Sequence, residues 1–176
     1  PLMIAAFFGT VISLERAVAV GFNWAYLAPL TAGLGGIALL AGLPLIIGQA
    51  LGTLAAALLV AASSVALRRQ FAPFTVVLTL AAACWLFGNL TWLLAADLNA
   101  AIPWWLLFLV LTIAGERLEL TRFLPTPPHA QTLFIAIVSL MLLSALLAVD
   151  RLLGANFIAL ALWLLRYDIA RRNLRS

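Results

Sequence analysis

The chain has 176 residues, 66% of them hydrophobic and 9% charged, with a mean hydropathy of +1.17. Soluble domains carry about 25% charged residues, so the composition excludes an ordinary water-soluble globular protein and points to an integral membrane protein. The formal net charge of +4 comes from ten basic residues, all arginine, against six acidic ones; they are not interleaved with aromatics as in a nucleic-acid groove, so they read as membrane orientation.

Several apolar runs exceed about 18 residues, the length of a membrane helix, and none alternates in polarity as barrel strands do. The expected fold is all-α: a polytopic transmembrane bundle of about seven helices in a single integral membrane domain, 1–176. The chain opens on Pro1 in helical sequence, which reads as a processed or truncated N-terminus.

The first helix is expected over Pro1 to Val20, with Glu15-Arg16 late in its length, and Gly21 to Trp24 forms a turn. Ala25 to Ile47 reads as the second helix, loosened by Gly33, Gly35, Gly36 and Gly42. Gly48 to Leu67 is the third, and its Gly48, Gly52, Ala56 and Ser64 recur at multiples of four, a small-residue face for close helix contact. It stops at Arg68-Arg69. Pro73 to Ala95 is the fourth helix, in which Asn89 is expected to hydrogen-bond a neighbouring helix. Ala96 to Ile102 reads as a polar connection.

The fifth helix, Pro103 to Leu124, ends in the segment GERLELTR and so carries Glu116, Arg117, Glu119 and Arg122. A proline-rich loop holding His129 follows. The sixth helix is expected over Ala130 to Val149. Asp150 to Asn156 connects onward with Asn156 as N-cap, and Phe157 to Ala170 forms the seventh helix before an arginine-rich end.

Seven alternating spans put Arg16, Arg68, Arg69, Arg117, Arg122, Arg166, Arg171, Arg172 and Arg175 on one side and Arg151 alone on the other. The positive-inside rule makes the first side cytoplasmic and the location the bacterial inner membrane, with the arginine-rich C-terminal end inside. At an offset of about 102 residues Glu15-Arg16 overlies Glu116-Arg117 and Arg68-Arg69 falls near Arg171-Arg172. This suggests a four-helix repeat with the second copy truncated, 1–100 and 101–176, in parallel orientation.

Charged groups at membrane depth cost roughly 2.5–3.5 kcal/mol on insertion scales and face protein or water rather than lipid. At about 100° per residue, Glu116 and Glu119 lie about 60° apart and Arg117 points away from Glu119. The expected pairing is a reciprocal clamp between helices one and five, Arg16 with Glu116 and Glu15 with Arg117. Arg122 neutralises Glu119 within its own helix, and Arg166 and Asp168 extend the network. Such a network locks helices together; the alternative is an ion or proton pathway through the same carboxylates.

Metal and haem chemistry lack ligands. His129 is the single histidine, Cys84 the single cysteine, and Met3 and Met141 are scattered. No cofactor is expected, and no nucleophile has a base beside it. Trp24, Trp92, Trp104 and Trp105 fall near helix ends, as an aromatic belt requires, while Trp85 and Trp163 lie deeper and read as packing residues.

The strings FFGTVISLERAVAVG, FLVLTIAGERLELTRF and WLLRYDIARR resemble those of a family of bacterial polytopic membrane proteins, along the whole chain; these motifs carry no chemistry that transfers. In size and helix content the chain is also loosely similar to the NnrS group of haem- and copper-associated membrane proteins, which implies a weaker haem or copper reading. The helices here lack histidine, so no functional residues carry over. The function expected is a non-catalytic integral membrane subunit whose partners are the lipid bilayer and other integral membrane proteins. The alternative is a small transporter or proton-conducting protein.

Overall fold

The computed structural model describes residues 2–95, 97–120 and 127–167, with the side chains of 2–7 outside that description. Arg122, Asp168, Arg171, Arg172 and Arg175 therefore lie outside the described residues. Seven α-helices follow in order: α1 (Leu2–Val20), α2 (Leu27–Leu40), α3 (Leu45–Arg69), α4 (Pro73–Ala95), α5 (Leu98–Leu120), α6 (Pro128–Leu146) and α7 (Asp150–Tyr167). A short 3-10 helix, Asn23–Tyr26, leads into α2. Helices α3, α4, α5 and α6 are each long and apolar enough to cross a membrane.

Helix α2 ends at Leu40, seven residues before the sequence reading ends it. Gly42 sits in the left-handed region at φ +69°, and the amides of Gly42 and Leu43 turn back to the carbonyls of Leu39 and Ala38. This is a Schellman stop, which a glycine adopts without a Cβ clash. Pro44 then fixes an extended backbone before α3 starts at Leu45. The apolar run continues through the turn, so hydrophobicity alone hides it.

Two further boundaries differ from expectation for similar reasons. Asp97 Oδ1 accepts the Asn99 amide, so α5 is capped at Asp97 and starts at Leu98, five residues before Pro103, and that proline sits inside the helix. Helix α7 begins at Asp150, which places Asn156 within the helix. Asn156 is buried and donates to Ser144 Oγ on α6, so it ties a hairpin together and caps nothing. His129 lies in the first turn of α6, its ring edge-on to Tyr167, where a loop position was expected.

Sequential helices pack as antiparallel neighbours, and the closest seam runs between α4 and α5. Large side chains of one helix fill the space left by small ones on the other. Gly115 receives Leu78, Gly88 lies under Trp105, and Trp85 stacks on Phe108 at 5.2 Å between centroids. On the other side of α4, Gln49 Nε2 donates to the Trp92 carbonyl, joining α3 to α4. Helix α1 leans on α2 and α3. The α6–α7 hairpin is stitched internally by Trp163 Nε1 donating to the Ala130 carbonyl, but it meets α5 along a thin seam.

The turn from α6 to α7 repeats the Schellman hydrogen bonds of the turn from α2 to α3, with Ala148 and Val149 bonding back to Ala145 and Ser144. Here the left-handed residue is Ala148 at φ 53°, where an L side chain costs about 1–2 kcal/mol. Ala148→Gly is expected to raise the stability of the detergent-solubilised protein by about 1 kcal/mol in thermal unfolding, and Gly42→Ala to lower it by a similar amount.

Candidate functional site

The charges that the sequence places inside helices converge near the C-terminal ends of α1 and α5. Arg16 Nη2 donates to Glu116 Oε1 at 2.7 Å. The arginine side chain is 10% exposed and the glutamate 38%, so the carboxylate reaches from the bundle edge to a cation inside it. Both ends sit on rigid helix, which fixes the geometry of a charge-assisted bond better than a loop could.

Helices α1 and α5 make no extended backbone contact. Long side chains bridge the gap between them. At one level the bridge is Arg16–Glu116; further toward the start of α1, Trp85 of α4, backed by Phe108 of α5, presses into Gly9, where any Cβ would overlap the indole. Arg16 lies seven residues after Gly9, and Glu116 eight after Phe108. Both steps are two turns of helix, so α1 and α5 run parallel with matched rise.

A second arginine acts at the same end. Arg69 Nη1 donates to the Val20 carbonyl at 2.9 Å, and its guanidinium lies 4.8 Å from the centre of the Phe22 ring. The last carbonyls of a helix lack intrahelical donors and carry the negative end of its dipole, so a cation there is favourable. This cap ties the end of α1 to the end of α3, a role the sequence reading missed. Its signal was the arginine pair in the last turn of α3.

Of the other charged residues expected here, Glu15 and Glu119 lie near enough for their charges to bear on Glu116. Arg117 stands exposed on α5 and is not free of partners. Arg166 is exposed in the last turn of α7. The Arg122 and Asp168 parts of the network lie outside the described residues.

The small-residue face of α3 is buried between its neighbours. Gly48 lies under Leu39 of α2, Gly52 lies against Asn89 of α4, and Ala56 is fully buried. Asn89 is buried as well, but its Nδ2 donates to the Trp85 carbonyl of its own helix. Gln49, one residue from Gly48, makes the interhelical bond that had been assigned to Asn89. Trp92 and Trp105 also depart from the expected aromatic belt. They are buried and meet edge to face at 5.8 Å, and the start of α5 at Leu98 sets Trp105 seven residues into its helix. Among the described residues, no three of His, Cys, Asp and Glu gather as metal ligands.

These features describe a helical bundle closed by two arginines at one end and by tryptophans packed on glycine in its middle. The chain belongs to the family described as Domain of unknown function (DUF8744). That family's sequence profile matches residues 1–176. No curated protein and no solved structure matches the chain.

Truncating one member of the pair strands the other. For a buried pair that costs about 3–5 kcal/mol, and partial exposure of Glu116 reduces it to about 1–3 kcal/mol. Glu116→Leu and Arg16→Leu are each expected to lower the unfolding temperature in detergent, while the double variant recovers most of the loss; a cycle showing simple additivity would refute the clamp. Gly9→Ala is expected to cost about 1–3 kcal/mol by overpacking against Trp85, relieved when Trp85 is shortened to Phe.

Proposed function

We propose that this DUF8744 chain is a non-catalytic integral membrane subunit, held in the bacterial inner membrane with its C-terminus cytoplasmic, that packs against other membrane proteins. The observation carrying this reading is the disposition of the charges late in the helices: Arg16 and Glu116 are spent on each other, between two helices whose backbones make no extended contact. A pair used in this way orders helices and leaves little to bind a free ion.

Four helices of spanning length support membrane insertion. The 3-10 helix and α2 together add about 29 Å, close to the roughly 30 Å of a bilayer core. Large apolar side chains cover the outward faces, among them Leu40, Ile37, Leu94 and Ile158. Water would solvate such a surface poorly, and lipid or a partner helix solvates it well. Arg16 and Arg69 both act where α1 ends, in keeping with a cytoplasmic assignment for that end under the positive-inside rule. The shared stop after α2 and α6 supports the repeat, although α5 meets α6 far less closely than α1 meets α2.

A partner helix has a natural seat where the fold is least closed. Between the first turns of α5 and α7 lies a cleft of about 550 Å³, lined by Leu106, Leu153 and Phe157 with Asn99 and Asp150 among its polar groups. A photo-crosslinking residue at Leu106 or Phe157 in native membranes is expected to give one discrete protein adduct. Isolation as a solitary monomer with its own turnover would overturn the reading.

A second reading, a small transporter or proton-conducting protein, is favoured by the partly exposed Glu116 with two more carboxylates in electrostatic range. Glu116→Gln in proteoliposomes separates the two. The clamp predicts a lower melting temperature and no flux in either protein, whereas the pathway predicts flux in the parent that the variant loses while staying folded.

A further inference from the structure

Helices α2, α3, α4 and α5 enclose a small chamber in which three observations meet. It is about 30 Å³, lined by Gly35, Gly36 and Gly52 on one side and by Trp85, Asn89 and Trp105 on the other. A single water needs about 10–15 Å³ on the same measure. The room is therefore that of one or two waters and too small for a drug-sized or lipidic ligand.

Trp105, one of the lining residues, carries an unanswered donor. Trp105 is 7% exposed and its Nε1–H meets no acceptor among the described residues. A buried donor left in that condition is unfavourable, and native interiors answer such groups with protein or ordered water. The same wall offers the complementary group. Asn89 uses its Nδ2 on the Trp85 carbonyl, which leaves its carbonyl oxygen as the acceptor; this atom lies against Gly52, where an added Cβ would fall 2.9 Å from it. The glycine makes room for that oxygen.

We propose that the chamber is an internal hydration site, holding one water that accepts the Trp105 Nε1–H and donates to Asn89 Oδ1. Water fits because the site presents one donor and one acceptor at once, which a cation or an anion cannot satisfy together. The bound water would link α4 to α5 at the level where α3 presents its glycine face. The proposal stands on the interior of the bundle and is independent of the partner-binding reading.

The test is NMR of the full chain in nanodiscs of phosphatidylethanolamine and phosphatidylglycerol, with its six tryptophans labelled at the indole nitrogen. The Trp105 signal is assigned by its loss in Trp105→Phe. The expected result is a hydrogen-bonded indole shift for Trp105 and a cross-peak from its Nε1–H to water. Asn89→Leu should remove both, and Asn89→Ser, which keeps an acceptor, should retain the cross-peak. The other five indole signals report whether either variant is folded, and the parent protein alone decides the matter if neither is. Three results would overturn the proposal: a cross-peak to lipid glycerol protons, a water cross-peak that persists in folded Asn89→Leu, or an upfield ring-current shift with no water contact, which would put the N–H over the Trp92 ring.

Discussion

One long-range ion pair ties α1 to α5. Arg16 and Glu116 join two helices that make no extended backbone contact, and they bring together residues 100 apart in sequence. An arginine suits this position because its planar fork stays charged at any accessible pH and loses less freedom per hydrogen bond than a lysine. The exclusive use of arginine among the basic residues agrees with that demand wherever a cation is held against a carboxylate, a carbonyl or a ring.

Around that pair the core is assembled from very unequal side chains. Tryptophans on α4 and α5 lie against glycines on α1 and α4, and a glycine face on α3 lies under α2 and α4. Association of apolar helices gains little from hydrophobicity once lipid surrounds them, so close contact and internal hydrogen bonds have to supply the specificity. The polar residues inside serve that end. Gln49 joins α3 to α4, Asn156 joins α7 to α6, and Trp163 closes the α6–α7 hairpin on the Ala130 carbonyl.

Much of this was legible in the sequence where a residue type has few options. Seven helices follow from the spacing of apolar runs and breaks, and Arg16 with Glu116 follows from the need to neutralise charge at depth. The errors arose where one apolar residue looks like another. The run from Ala25 to Ile47 conceals a turn that only the backbone conformation at Gly42 reveals. Pro103 drew the start of α5 to itself because proline favours a first turn, although Asp97 caps the helix earlier. Asn89 and Gln49 are equally able to bond a neighbour, and their roles were settled by rotation about their helices, which periodicity cannot fix when every face is apolar. Trp92 and Trp105 were read as interfacial from their distance to helix ends; for Trp105 that distance was misjudged by the five residues missing from α5, whereas Trp92 does lie three residues from the end of α4 and is buried with an edge-to-face contact to Trp105.

The ion pair also imposes an order on biosynthesis. With translation at about 5–20 residues per second, Arg16 emerges roughly 5–20 s before its carboxylate partner. Throughout that interval α1 has a cation near its end with nothing in the chain yet made to neutralise it, apart from the glutamate beside it. A charged group at bilayer depth costs roughly 2.5–3.5 kcal/mol, whereas near the headgroups phosphate and water serve as counterions. Helix α1 thus precedes α5 by three intervening helices and completes its contact with it only when α5 delivers Glu116.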